Sequence, residues 1–218
     1  MSEVTWNDLE ICWRRALLDA GVSQTDAVQS VFDKIMGAYT QTHRDYHNGY
    51  HLWEMITALN EYGDATSKVS PLVYIAAFFH DFVCIPGYAT NEKESATYAK
   101  RLLIDELKYD PGLSNMVGAM IEHTETYGRR FSHKTFRVLY DADFVVLGSS
   151  PERYAEYSQQ VRAEYRTVKN AAYKKARIEV LNKLLALDPI FITPWFREKY
   201  EQQARANIDS EIRRLENT

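Results

Sequence analysis

The most apolar run of the chain, residues 72–79, is followed directly by a histidine and an aspartate, His80 and Asp81. A serine and a proline precede the run, and they predict a buried helix from Pro71 to Val83. A carboxylate and an imidazole in such surroundings cost several kcal/mol unless each is paired, hydrogen-bonded or bound to a metal. Because adjacent helical side chains point about 100° apart, the two can contact one ion at the helix edge. A divalent cation is the ion that this pair favours.

Two further histidines stand four residues apart in the segment HRDYHNGYH, residues 43–51. At this spacing His47 and His51 can share one helical face. His51 is the better candidate ligand, because Met55 and Leu59 continue the same inward stripe. The alternative is that His47 binds the ion and that His51 is a core histidine with satisfied hydrogen bonds.

A single carboxylate, that of Asp143, interrupts an apolar helical stripe between Phe136 and Leu147. Asp141 falls on another side of the same helix, and we expect it to be more exposed to water. The sequence therefore supplies two imidazoles and two carboxylates as candidate metal ligands: His51, His80, Asp81 and Asp143. This set suits Mn²⁺, Mg²⁺, Fe²⁺, Co²⁺ or Zn²⁺, and the ligand types do not choose among these ions.

About ten helices are predicted to position these side chains. They run from Thr5 to Gly21, from Ser23 or Thr25 to Thr40, from Asn48 to Gly63, from Pro71 to Val83, from Asn91 to Lys108, from Pro111 to Tyr127, from Lys134 to Leu147, and onward from Ser150, Asn170 and Thr193. Capping residues, prolines and glycines mark these ends. No sustained alternation of strand-forming residues occurs. We predict one all-α domain over residues 1–218.

Composition narrows the class of protein. A chain of 218 residues can bury a core without disulfides. The net charge of −4 does not favour a nucleic acid duplex or an acidic membrane as partner. Two cysteines without a CxxC motif argue against a disulfide scaffold and against a thiolate zinc site. Neither a signal-peptide pattern nor an apolar run of membrane-spanning length is present. We expect a cytoplasmic protein.

The ordered histidines and aspartates resemble the HD superfamily of metal-dependent phosphohydrolases, and more closely an uncharacterised bacterial branch of predicted HD phosphohydrolases. The matching stretches are YHNGYH (46–51), FFHDFV (78–83), NEKESA (91–96), DADFVVLG (141–148), VRAEY (161–165) and ARANI (204–208). The resemblance implies a helical bundle of the HD-domain type. It also implies that the four candidate ligands hold a divalent cation, on which water attacks a phosphoester.

The resemblance implies individual roles as well. Asp81, beside His80, would be both a ligand and the proton acceptor for the attacking water. Charged or polar side chains must also meet the phosphate, and the candidates for contact with substrate are Arg44, His47, His123, Arg129, Arg130 and Arg162. No clear pair of additional histidines, as in binuclear relatives, is present, and His123 is the one plausible extra ligand.

We therefore expect a phosphohydrolase acting on a small phosphorylated metabolite, with a nucleotide favoured by analogy of fold. A homodimer is possible through the long C-terminal helix. Two alternatives stay open: a di-iron oxygenase of the HD type, which would need His123 as a ligand, and a non-catalytic HD module that binds a nucleotide. Metal analysis combined with a panel of phosphorylated substrates separates the three.

Overall fold

The computed structural model describes residues 6–66, 69–125 and 133–217, which contain ten α-helices and no strand. The helices are α1 (Trp6–Asp19), α2 (Asp26–Tyr39), α3 (Gly49–Thr66), α4 (Pro71–Phe79), α5 (Asn91–Arg101), α6 (Pro111–Glu122), α7 (Lys134–Asp143), α8 (Pro151–Glu164), α9 (Asn170–Leu185) and α10 (Pro194–Glu216). The predicted all-α class is confirmed. Within the described ranges, no helix has both the length and the apolar character needed to cross a membrane.

Helix α4 lies at the centre of the core. Ser70 caps its first turn by accepting a hydrogen bond from the Leu72 N–H, and Pro71 occupies the first helical position, where a missing N–H costs nothing. All of its residues from Leu72 to Phe79 except Tyr74 are buried. The helix packs against α1, α3, α6 and α7. Burial on all sides explains why no polar stripe is found in its sequence.

The predicted end of α4 at Val83 is wrong, because the helix ends at Phe79 and His80 is its C-cap. Backbone groups beyond that point are satisfied by side chains from elsewhere in the chain. Arg44 donates to the carbonyl oxygens of Asp81 and Phe82, at 2.6 and 3.0 Å. The hydroxyl of Ser95 accepts from the Val83 N–H and donates to its carbonyl, at 2.9 and 3.2 Å. The Ser95 bond replaces the one that a longer helix would form from the Val83 N–H to the Phe79 carbonyl, and Arg44 satisfies carbonyls beyond the helix end, where the chain turns at the histidine–aspartate pair.

Several other helix ends differ from the predicted positions. Helix α1 ends at Asp19 and α3 at Thr66, while α5 passes at Arg101 into a π-helical turn, Leu102–Glu106. Single 3₁₀ turns, His123–Glu125 and Val145–Gly148, follow α6 and α7. The predicted ends at Thr5 and Tyr127 lie outside the described residues.

The sequence predicts that Asn91 caps the start of α5, and this prediction is wrong. Thr90 is the N-cap. The amide of Asn91 instead holds the loop before the helix, accepting from the Ile85 N–H at 3.1 Å and donating to the Ile85 carbonyl at 3.0 Å. This loop connects the histidine–aspartate pair to α5.

Asp141 is fully buried, so the prediction that it is more exposed to water is wrong. Its two carboxylate oxygens accept the N–H groups of Ile192 and Thr193, each at 2.7 Å, directly before α10. Burial raises the pKa of Asp141 to about 7, although these two hydrogen bonds act in the opposite direction. Asp141 therefore fixes the start of α10 against α7, a contact between residues about fifty positions apart that a local pattern does not reveal.

Candidate metal centre

The side chains of His51, His80, Asp81 and Asp143, which we call the ligand cluster, converge where α3, α4 and α7 meet. His51 Nε2 lies 3.1 Å from His80 Nε2, 3.3 Å from Asp143 Oδ1 and 3.8 Å from Asp81 Oδ2. His80 Nε2 lies 3.0 Å from Asp81 Oδ2 and 3.6 Å from Asp143 Oδ1. Both histidines are 2% exposed, whereas the two aspartates keep 17% and 22% of their side-chain surface open. The four predicted ligands are thus brought together, with the carboxylates facing the solvent side.

The spacing of these atoms fits a common divalent ion. Ligand atoms about 2.1 Å from an ion lie about 3.0 Å apart at octahedral right angles and about 3.4 Å apart in a tetrahedron. Three of the five measured separations, 3.0, 3.1 and 3.3 Å, match these values, and the other two, 3.6 and 3.8 Å, are slightly longer. Ligand atoms of His51, His80 and Asp81 lie within 4.8 Å of one another, so this group could hold a metal ion. The ion's identity does not follow from the geometry.

Second contacts orient both imidazoles for this task. Nδ1 of His80 lies 2.8 Å from the Ala77 carbonyl oxygen. Because a carbonyl only accepts, Nδ1 carries the proton, and Nε2 is the nitrogen that faces the cluster. Nδ1 of His51 bonds to the Tyr46 hydroxyl at 2.9 Å, which directs its Nε2 inward too. Metal-binding histidines in proteins are held in this way.

The electrostatics of the cluster favour a positive charge between the carboxylates. Burial lowers the pKa of His80, but Asp81 and Asp143 raise it to about 9. Burial raises the pKa of the Asp81 carboxyl, but His80 and His47 lower it well below its ordinary value. A proton on His80 supplies the positive charge in this arrangement. A divalent cation could take its place and release that proton.

His47 lies beside the cluster and is held by a carboxylate that the sequence argument did not assign to the site. Its Nδ1 is 2.7 Å from Glu164 Oε2, while Glu164 Oε1 accepts the backbone N–H groups of Tyr46 and His47, at 2.8 and 2.9 Å. Burial lowers the pKa of His47, but Cys84, Asp81 and the bond to Glu164 raise it well above its ordinary value. His47 thus stands next to the four-residue cluster and outside it.

A sequence signal for Glu164 exists. The buried residues of α8 fall at helical spacing, with Tyr157, Val161 and Glu164 on one stripe. A carboxylate on such a stripe needs a partner, as Asp143 does on α7. Its partner is supplied by a segment 117 residues away, which the sequence pattern cannot identify.

Arg44 is placed behind the cluster. It is 6% exposed and donates to the carbonyl oxygens of His47, Asp81 and Phe82. Its guanidinium therefore positions the backbone that carries both His47 and Asp81. Contact between Arg44 and a substrate stays a prediction.

The remaining candidates for substrate contact lie farther along the chain. Arg162 donates to the carbonyls of Tyr165 and Val168, at 2.7 and 3.1 Å, and so holds the loop after α8. His123, at the end of α6, is exposed and donates from Nδ1 to the Ala119 carbonyl at 2.7 Å. Arg129 and Arg130 lie outside the described residues. The roles predicted for these four residues stay predictions.

A cavity of about 350 Å³ lies over the open side of the cluster. His80, Asp81 and Asp143 line it, together with His47 and Tyr157. Its size matches the small end of known ligand pockets. The cluster is thus reachable by a small molecule.

Comparisons of this chain with protein-family models, with curated proteins and with solved structures gave no significant match.

Proposed function

We propose that this protein is a metal-dependent phosphohydrolase that acts on a small phosphorylated metabolite, for which a nucleotide is the leading candidate. The observation that carries the proposal is the convergence of two buried imidazoles and two partly open carboxylates at the base of a cavity. Resemblance to the HD superfamily points to the same chemistry. His51, His80, Asp81 and Asp143 would hold the cation.

A bound divalent cation supplies an activated water near neutral pH and neutralises charge on phosphoryl oxygens. The chain's own residues would do the rest. The Asp81 carboxylate, 17% exposed, is placed to accept a proton from water in the cavity. His47, with its Nδ1–H donated to Glu164, presents its other nitrogen as a polar contact for the substrate. Arg44 keeps Asp81 in position through the backbone bond at 2.6 Å.

The test is metal analysis followed by assay of a panel of nucleotides and sugar phosphates with Mn²⁺, Mg²⁺, Co²⁺, Fe²⁺ and Zn²⁺. Wild-type protein should bind metal and release phosphate from at least one compound. The variants His80→Ala and Asp143→Ala should each bind metal at least tenfold more weakly, because loss of a ligand costs no less than the 10–100-fold loss seen for outer contacts. His133→Ala, an exposed histidine outside the cluster, is the matched control and should behave as wild type.

Circular dichroism and thermal unfolding of each variant separate loss of metal from loss of fold. Full metal content and activity in either His80→Ala or Asp143→Ala would refute the ligand assignment. Two irons per chain without phosphate release would favour the oxygenase alternative, and tight nucleotide binding without turnover would favour the non-catalytic module.

A further inference from the structure

A second cavity, of about 500 Å³, opens beside the ligand cluster between α8, α9 and the loop that follows His80. His47, Asp81 and Tyr157 line both this cavity and the smaller one over the cluster, so the two spaces adjoin. The wall of the second cavity, which we call the tyrosine cavity, consists mainly of aromatic and aliphatic side chains: Tyr157, Val161, Tyr165, Tyr173, Ala176 and Val180. A pocket of this size accommodates a ring system.

The described wall of the tyrosine cavity offers little positive charge. Besides His47, which is bonded to the Glu164 carboxylate, its one cationic side chain is Arg177, which is 8% exposed and bonded to Glu211 through Nε and Nη2 at 3.0 and 3.1 Å. The partner carboxylate is 1% exposed, and its negative charge balances that of the guanidinium. The guanidinium also lies over the Tyr157 ring, 5.2 Å from its centroid. A chain of phosphates extending into this space would meet tyrosines, aliphatic groups and the carboxylates of Glu92 and Glu164, which do not compensate its charge.

Two exposed apolar side chains also line the tyrosine cavity. Ile85 and Tyr88 are 50% and 49% exposed, so they add apolar surface on the solvent side of the cavity. The amide of Asn91 holds this loop at both backbone groups of Ile85. The apolar surface is therefore presented by a loop with fixed geometry.

Building on the proposed phosphohydrolase function, we propose that the substrate is a phosphomonoester of an alcohol that carries an aromatic ring system. The single phosphoryl group would lie at the ligand cluster and the ring would lie in the tyrosine cavity. Hydrolysis forms a bond between phosphorus and the water oxygen and breaks the bond to the alcohol oxygen. One proton of the water ends on the alcohol and the other on phosphate. Sugar phosphates and polyphosphates fit this arrangement less well.

Binding of a stable analogue tests the cavity separately from catalysis. Phenylphosphonate and methylphosphonate are titrated into the Mn²⁺-loaded protein by calorimetry. Because burying an aromatic ring contributes about 1.5–3 kcal/mol, phenylphosphonate should bind roughly 10- to 100-fold more tightly. Ala176→Trp, which places a large side chain at the cavity wall, should reduce this preference below about threefold. Ala172→Trp, at an exposed position on the same helix that lines neither cavity, is the control and should leave it unchanged.

Equal affinity of wild-type protein for the two phosphonates would overturn the inference, as would a preference that survives in Ala176→Trp. Hydrolysis of phenyl phosphate and glycerol phosphate is measured in parallel, along with adenosine monophosphate and triphosphate. Faster turnover of the triphosphate would also overturn it. Hydrolysis without preference for a ring leaves the proposed function intact and refutes this inference. Ring-dependent binding without any hydrolysis supports the cavity assignment and refutes the phosphohydrolase function.

Discussion

The ion pair of Arg177 and Glu211 joins α9 to α10 in the interior, next to the tyrosine cavity. The Glu211 carboxylate accepts two bonds from Arg177, one from the Tyr154 hydroxyl at 2.6 Å and one from the Ser158 hydroxyl at 3.1 Å. Burial raises the pKa of Glu211, but Arg177 and these hydroxyls lower it below its ordinary value. The carboxylate is therefore ionised at neutral pH and balances the guanidinium.

Substitution Glu211→Gln keeps the size of the side chain and removes its charge. Because the guanidinium of Arg177 then remains buried without a counter-charge, we expect a loss of about 3–5 kcal/mol in the free energy of unfolding. In a chain of this length each kcal/mol lowers the melting temperature by about 2–4 °C. The melting temperature should therefore fall by roughly 6–20 °C.

Urea unfolding followed by circular dichroism measures this loss, with thermal unfolding as a second reading. The control is Asp209→Asn, which breaks the exposed ion pair between Asp209 and Arg213. The Asp209 side chain is 49% exposed and the Arg213 side chain 73%. Surface pairs contribute about 0–1 kcal/mol, so this variant should stay close to wild type. A loss below about 1 kcal/mol in Glu211→Gln would refute the reasoning.

A double variant separates two contributions to the free energy of unfolding: the penalty of an unpaired buried charge and the net contribution of the intact ion pair. Replacing both Arg177 and Glu211 by methionine removes both charges and fills similar space. We expect it to be clearly more stable than Glu211→Gln, since buried pairs replaced by apolar groups are often neutral in stability. A double variant less stable than the single one would show that the hydroxyl contacts and packing around the pair dominate.

Three further predictions concern stability. Glu164→Gln should cost about 1.5–3 kcal/mol in urea unfolding, because its 2%-exposed carboxylate accepts two backbone N–H groups and an imidazole N–H; wild-type stability would contradict this. Burial raises the pKa of Glu164 and Glu211, but their hydrogen-bond partners lower the pKa of both below the ordinary value. The stability that the two carboxylates provide is therefore complete above about pH 4.5 and is lost as the pH falls through the lowered pKa values. An unfolding free energy that stays constant from about pH 5 to 3 would refute this prediction. Gly148→Ala should destabilise by about 1–3 kcal/mol, because a Cβ would lie 2.6 Å from Tyr200 Cβ and 2.7 Å from its carbonyl oxygen, whereas Gly37→Ala, with nothing within 4 Å, should not destabilise.

The sequence predicted the elements whose causes are local. Helix starts at Pro71, Pro111 and Pro151 depend on a capping side chain one position earlier and on the fixed backbone of proline, and the structure has all three. The apolar run of α4 also has a local cause, because a helix without a polar face must be buried on all sides. The four candidate ligands were also recognisable, since His51 and Asp143 interrupt apolar helical stripes and His80 and Asp81 directly follow the apolar run.

Only the tertiary structure decided how these elements end and pair. Helix α4 stops at Phe79, because Ser95 accepts the Val83 N–H that a longer helix would donate to the Phe79 carbonyl, and the Phe82 N–H donates to that carbonyl instead. Asp141 is buried because the N–H groups before α10 need an acceptor, and Glu164 meets His47 across 117 positions. A hydrogen-bonding group takes whichever partner the fold brings within about 3 Å. The sequence therefore determines which buried polar groups need a hydrogen-bond partner, and only tertiary packing determines which partner each group contacts.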